Sequence, residues 1–362
     1  MKTLYFTVTN DLNYDQRMIR ICSSLTGAGY RVVLVGRETR ASPALNNQVF
    51  QQKRILCRFK KGKLHYAEYN FRLFFYLLFK KMDAVCAIDL DTILPCLFIS
   101  KLKAITRIYD AHELFCEMKE VVTRPGIYKV WKRVEKFAVP RFKWGYTVNS
   151  QIAHEFKKMY GVQYEVIRNL PVSRAIEAPE QKERIILYQG AVNEGRSFET
   201  LIPAMKEVNS QLIIYGDGNY FEQVKEQITK HNLQDKVILK GKLPPEQLWQ
   251  ETRKAMIGVT LFENNGLNNY YSLANRFFDY IQAAVPQLCV DYPAYREVNE
   301  QFNIACLISD LSPANIAHNL NNLLDDVVLY NELRENCLKA RKVLNWQMEE
   351  EKLIEFYKKV SG

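Results

Sequence analysis

The residues best suited to chemistry lie in the second half of the chain. Behind an apolar run at residues 185–188 comes Gln189-Gly190-Ala191-Val192-Asn193-Glu194-Gly195-Arg196, and a helical pattern opens near Ser197 or Phe198. A glycine turn feeding a helix N-terminus bares backbone N–H groups, and an arginine adds a positive fork, so the segment suits a diphosphate. An ordinary tight turn with a surface arginine would carry the same spelling. A second turn, Tyr215-Gly216-Asp217-Gly218-Asn219, follows the run at 212–215. Its glycines either admit a ligand close to the backbone or simply make the turn.

The densest pattern is Tyr270-Tyr271-Ser272-Leu273-Ala274-Asn275-Arg276-Phe277-Phe278-Asp279-Tyr280-Ile281-Gln282-Ala283-Ala284-Val285-Pro286. A helix starting near Leu273 would put Asn275, Arg276 and Asp279 on one face and Phe277, Phe278 and Ile281 on the other. A cation and an amide near a helix N-terminus suit a diphosphate, and a carboxylate one turn deeper could take both hydroxyls of a ribose. An intrahelical Arg276–Asp279 pair on a solvated face is the plain alternative. In the first half, Ile108-Tyr109-Asp110-Ala111-His112-Glu113 ends an apolar run with three titratable groups. A histidine ring there could donate to a substrate hydroxyl, although a lone histidine is as often structural. Asp15 and Arg17, behind the first apolar run, are further acceptor-side candidates.

These residues need elements to hold them. Short apolar runs alternate with helical patterns along the chain, which predicts βαβ units around parallel sheets. Strands are expected at 4–8, 32–35, 84–88, 105–109, 146–149 and 165–168, then at 185–188, 212–215, 237–239, 258–261, 287–290 and 304–308. At 362 residues the chain exceeds what one core usually organises. The expectation is an α/β protein of two Rossmann-like, doubly wound domains facing across a cleft, at residues 1–174 and 175–342. The polar stretch 173–183 would link them. A final helix at 343–362, with Met348, Leu353, Ile354 and Tyr357 on one face, would pack back on the first domain. Strand-end loops are where such sheets bind ligands.

Charge divides with the domains. Residues 1–174 hold 30 Lys+Arg against 14 Asp+Glu, and residues 175–362 hold 20 against 26, so the first half calls for an anionic partner. The eight cysteines show no CxxC or metal-ligand spacing and are expected as reduced core thiols. No apolar run approaches a membrane span or forms a signal-peptide core, which predicts a cytoplasmic chain.

The segment 272–286 resembles the donor signature of the retaining family-four glycosyltransferases of the GT-B fold, in the branch that reads Ser-Leu-Pro-Asn-Lys-Leu-Phe-Glu-Tyr and ends Ala-Gly-x-Pro. Residues 188–196 resemble that branch's phosphate loop, and Lys240-Gly241-Lys242-Leu243-Pro244 its base-contacting turn. The resemblance implies transfer of a hexose-type sugar from a nucleotide-diphosphate donor, with no cofactor and no metal. It implies that Arg196 and Arg276 hold the diphosphate, Asp279 the ribose, and the Gly216–Gly218 turn part of the nucleoside. Gly190, Gly195, Tyr271, Ser272 and Asn275 would complete the donor site, and His112 would be the active-site histidine beside Asp110 and Glu113. The chain departs from the family at four places. Asp279 replaces a usual Glu, Tyr271 stands where the first of a glutamate pair is expected, Ala191 replaces a frequent arginine, and residues 9–15 lack a glycine pair. Tyr271 and Ala191 leave open a noncatalytic member that only binds nucleotide sugar.

Asp89-Leu90-Asp91 matches the spelling by which GT-A transferases bind a nucleotide-bridging cation. The two successive sheets argue against that fold. Residues 124–143 carry seven basic residues and Glu135 alone as acid, interleaved with Tyr128, Trp131, Phe137 and Phe142. With the run Leu73-Phe74-Phe75-Tyr76-Leu77-Leu78-Phe79, they form a candidate anchor on an anionic membrane, placing the chain on the membrane's inner face beside a lipid-linked or saccharide acceptor. Buried helices with a basic rim are the alternative. The same charge fits a nucleic-acid-binding protein, but no motif for one occurs, and no nucleic-acid partner is expected.

Overall fold

A computed structural model describes residues 1–361 apart from Asp11, Tyr14, Arg40, Ala41, Lys60, Lys61 and residues 176–181. The chain forms two compact units, Met1–Asn169 with Met348–Gly362, and Leu170–Gln347. The second unit begins at Leu170 rather than at residue 175, because Leu170 is buried in its core. Half of the expected linker, residues 176–181, lies outside the described residues.

In the first unit the strands are β1 (Thr3–Thr7), β2 (Arg31–Glu38), β3 (Gln51–Leu56), β4 (Ala84–Ile88), β5 (Thr106–Ala111), β6 (Trp144–Thr147) and β7 (Glu165–Val166). Between them run α1 (Gln16–Gly27), α2 (Lys63–Leu78), α3 (Ile93–Lys103), α4 (Lys119–Val122), α5 (Pro125–Ala138) and α6 (Ser150–Tyr160). The sheet order is β3-β2-β1-β4-β5-β6-β7, with every pairing parallel. Strands buried on both faces need near-continuous apolar runs, and β4 (AVCAI) is buried throughout. Strand β3, QQKRIL, escaped the sequence pattern because it is an edge strand with two buried side chains.

The second unit holds β8 (Glu183–Gln189), β9 (Gln211–Tyr215), β10 (Val237–Gly241), β11 (Ala255–Thr260), β12 (Gln287–Val290) and β13 (Ala305–Ile308). Its helices are α7 (Phe198–Ala204), α8 (Phe221–Lys230), α9 (Pro245–Lys254), α10 (Leu267–Tyr270), α11 (Asn275–Gln282), α12 (Pro293–Phe302), α13 (Pro313–Asp325) and α14 (Val327–Ala340). The order β10-β9-β8-β11-β12-β13 is again parallel and doubly wound. Each sheet therefore has one switch point, between β1 and β4 and between β8 and β11, where strand order reverses and the strand-end loops splay apart.

The last helix, α15 (Trp346–Ser361), buries Leu353, Phe356 and Tyr357, whereas Met348 is exposed. Within the first unit Tyr357 packs its ring on Phe6 at 5.9 Å and lies against Tyr146 and Phe356. The aromatics of the expected anchor at 124–143 divide: Phe137 is exposed, whereas two others pack inward. Trp131 packs edge-on against Phe115 (5.0 Å) and Tyr66 (5.4 Å), and Phe142, past the helix end, is fully buried. None of the eight cysteines forms a disulfide, and seven are buried. Among the described residues no helix is long and apolar enough to cross a membrane.

Candidate active site

At the β8–β11 switch point, β8 ends in Gln189 and the chain turns at Gly190 (φ +122°). The loops behind β8 and β9 are zipped together. Val192 N–H donates to the Asp217 carbonyl (3.1 Å), and Asn219 N–H to Asn193 Oδ1 (3.1 Å). The glycines make this possible. A Cβ on Gly216 (φ +154°) would sit 1.8 Å from the Gly190 carbonyl oxygen, and one on Gly218 would sit 2.3 Å from the Val192 carbonyl oxygen. Gly195 (φ +82°) likewise leaves room for the Asn265 and Asn269 amides. The pair Gly216/Gly218 thus serves first to seat one loop on the other.

Two arginines converge on one ring. The Arg196 guanidinium lies 4.4 Å from the Phe262 centroid, and that of Arg276 lies 4.6 Å from the same centroid and 4.5 Å from Tyr188. Phe262 stands just past β11, so the switch point itself supplies the platform. Arg276 is only 7% exposed. Its Nη1 donates to the Tyr188 hydroxyl (3.2 Å), which donates on to the Ala191 carbonyl (2.7 Å). Its Nε is buried without a hydrogen-bond partner. Stacking on aromatic faces favours both cations. Their mutual repulsion is what a bound polyphosphate would relieve.

Helix α11 starts at Asn275, later than the expected Leu273, because Ala274 is extended (ψ 140°) and caps it. Asn275 is exposed at its first position and Arg276 turns inward onto the rings, so the two do not share a face. Arg276 and Asp279 go to different partners. Asp279 Oδ2 accepts from Gln189 Nε2 (3.0 Å), and Gln189 Oε1 accepts from the Thr252 hydroxyl (2.6 Å). Ser272 donates to the Asn269 carbonyl (2.8 Å), and the Tyr271 ring leans on Tyr270 at 5.2 Å. Lys242, beyond β10, pairs with Asp217 at 3.3 Å.

A second cluster occupies the β1–β4 switch point of the first unit. Arg17 and Asp110 form a buried pair, with Nη2 2.9 Å from Oδ1. Asp15 caps α1, accepting from Met18 N–H at 3.1 Å. His112, 21% exposed at its side chain, has Nδ1 3.2 Å from Asp89 Oδ2 and Nε2 3.3 Å from Asp110 Oδ2. Burial opposes the imidazolium, but the Asp89 and Asp110 carboxylates outweigh it and hold the ring's pKa well above its ordinary value. Asp110, against burial, is lowered by Arg17 and His112. Asp91 bonds to the Thr9 hydroxyl, and burial, reinforced by the Asp89 charge, pushes its pKa up to about 7. Glu113 is half-buried beside this cluster in sequence. The two carboxylates of the Asp-Leu-Asp spelling thus lie against His112 and Thr9. Among the described residues no three His, Cys, Asp or Glu side chains are grouped to hold a metal ion.

The sequence pattern gave no individual role to Phe262, Tyr188, Gln189 or Thr252, and offered Asp89 only as half of a cation-binding spelling. Aromatics at strand ends look like core, and Gln189 and Thr252 meet only in three dimensions. The contact of Asp89 with His112 shows only in three dimensions, where its backbone sits at φ 53°.

Two doubly wound parallel sheets in one chain match the fold of GT-B glycosyltransferase structures. Residues 171–342 match the family described as "Glycosyl transferases group 1". The whole chain superimposes on sucrose-phosphate synthase from Thermosynechococcus elongatus with a TM-score of 0.82 at 14% identity, covering 99% of both chains. It matches Anabaena HepE, solved with UDP and glucose, with a TM-score of 0.77 at 13% identity, over 99% of this chain and 100% of that one. S. aureus TarM, solved as a mutant with fondaparinux, alpha-GlcNAc-glycerol and UDP, gives 0.75 at 12% identity over the full length of both. No curated protein matches the sequence.

Proposed function

We propose that the chain is a retaining glycosyltransferase that moves a hexose-type sugar from a nucleotide-diphosphate donor to a lipid-linked or glycan acceptor at a membrane surface. The observation that carries this reading is the pair of guanidiniums on Phe262, beside the Gly190 turn and the start of α11. Arg196 and Arg276 would take the diphosphate and neutralise the charge that grows on it. Asp279, aimed by Gln189, would hold the ribose hydroxyls. Two of the structural neighbours were solved with UDP, which makes uridine the first base to test.

In this reaction the anomeric C–O bond to the diphosphate breaks, its electron pair leaving on the phosphate oxygen. The acceptor hydroxyl bonds to the same carbon from the same face, and its proton passes to the departing diphosphate. No protein nucleophile takes part. Catalysis comes from positioning and from fixed charge. With both ring nitrogens against carboxylates, His112 serves as a fixed cation rather than a base. Asp89 and Asp91 are engaged by His112 and Thr9, which favours chemistry without a bridging metal.

The test is incubation with UDP-, GDP- and ADP-sugars in excess chelator, followed by NMR of the anomeric proton. Release of nucleoside diphosphate with an axial product from an axial donor is expected. Turnover that needs added manganese or magnesium, or an inverted anomer, contradicts the proposal.

A further inference from the structure

The first unit has a surface that the donor site does not use. On α2, Tyr69, Leu73 and Leu77 are fully buried, so the opposite face should be polar. It carries Phe71, Phe75 and Phe79, spaced by four and exposed by 67, 44 and 80%. Helix α3, which packs on α2, extends this ridge with exposed Phe98 and Leu102. Every exposed phenylalanine or tryptophan among the described residues belongs to this unit. Monomeric proteins seldom leave so continuous an apolar ridge to water.

Cations lie along it. An open groove of about 410 Å³ between α2 and edge strand β3 is lined by Lys53, Arg72, Phe71 and Phe75. A second, of about 520 Å³, shares Lys53 and adds Arg31, Lys80 and Lys81. Lys101 and Lys103 close α3, and Lys103 Nζ donates to the Lys80 carbonyl (2.7 Å). Phenylalanines that can enter the acyl boundary, with lysines set to meet phosphates, are what an interfacial anchor requires. A second copy of the chain would bring these lysines against themselves.

The geometry points to the α2–α3 ridge, with the grooves beside β3, as the surface that seats the first unit on an anionic lipid bilayer. This gives the membrane of the proposed function a place on the molecule, and of the two segments the sequence offered it takes the run on α2, since Trp131 of α5 packs on Phe115. It rests on that reading for its setting but not for its physics. The rings supply apolar transfer energy and the lysines a charge-dependent attraction.

Sedimentation of the full chain with vesicles tests this. Binding to phosphatidylcholine mixed with phosphatidylglycerol should exceed binding to phosphatidylcholine alone by about tenfold or more. Phe71→Ser/Phe75→Ser/Phe79→Ser should weaken binding to the mixed vesicles about tenfold or more, and Lys80→Glu/Lys81→Glu should abolish the preference for anionic lipid. Val327→Ser/Val328→Ser, on exposed valines of the second unit, should leave vesicle binding unchanged. An unaltered melting point in the triple variant shows that it folds. Equal binding by wild type and triple variant overturns the inference, as does failure of the wild type to bind either vesicle, or a wild-type dimer that the triple variant loses. A chain that transfers sugar yet ignores vesicles sinks this surface alone. One that binds vesicles without transferring sugar sinks the enzymatic reading alone.

Discussion

Asp89 clamps His112 twice: Oδ1 accepts its backbone N–H at 2.9 Å, and Oδ2 lies 3.2 Å from its ring Nδ1. To make both contacts Asp89 adopts φ 53°, a conformation that costs a non-glycine residue roughly 1 kcal/mol or more. Strain at such a position is kept where the side chain has work to do. Here the work is to aim and charge a histidine at the end of β5.

Replacing the clamp should alter chemistry and not nucleotide binding. Asp89→Asn is expected to lower kcat about 100-fold through misplacement of the ring, leave the Kd for nucleoside diphosphate unchanged, and lower the His112 pKa seen by NMR. An unchanged ring titration would remove Asp89 from this role.

The same ring ties stability to pH. Its folded pKa lies well above the unfolded value of about 6.5, so its contribution is fully present below that pH and is lost as pH rises through the folded value. Unfolding free energies of wild type and His112→Gln, measured from acid to alkaline pH, should therefore converge as pH rises above about 6.5. A constant gap would show that the ring is neutral in the folded protein.

Gly216→Ala sets a methyl against the Gly190 carbonyl at a position where φ is already +154°. Forcing the zipped loops apart should cost about 1–3 kcal/mol and weaken nucleotide binding with it, which a melting curve and a titration would report together. A normal melting point would mean that the loops do not depend on this contact.

Tyr357→Ala should destabilise the first unit by about 3–5 kcal/mol, since it empties a buried site among Phe6, Tyr146 and Phe356. Nucleotide binding by the second unit should survive. Denaturant unfolding with and without UDP checks both halves of this statement.

What the sequence made legible follows from periodicity. The run Ile185-Ile186-Leu187-Tyr188 declares a parallel strand because both faces of the sheet are covered, and the glycine turn behind it declares a strand-end loop. Strand β3 is spelled QQKRIL because an edge strand meets water, and it carries no such mark. In the donor site Arg276 was visible as a charge in an apolar helix, but its platform was not. Phe262 and Tyr188 look like any core aromatic until the switch point brings them under the guanidinium. On α5 and α2 the pattern identified amphipathic helices but could not say which neighbours cover each face. On α2 the rings of Phe71 and Phe75 face solvent, on α5 that of Phe137 does, and Trp131 is half-buried against Phe115.

On the proposed reading, two arginines sharing one aromatic ring form a diphosphate site. Calorimetric titration of UDP in chelator tests it most directly, with wild type, Arg196→Ala, Arg276→Ala and Arg276→Lys. Wild type should bind, each alanine variant should lose about tenfold or more, about 1.5–3 kcal/mol for a charge-assisted contact, and lysine, which lacks the planar fork, should rescue incompletely. Equal affinity for UDP in wild type and both alanine variants, all folded, would contradict it.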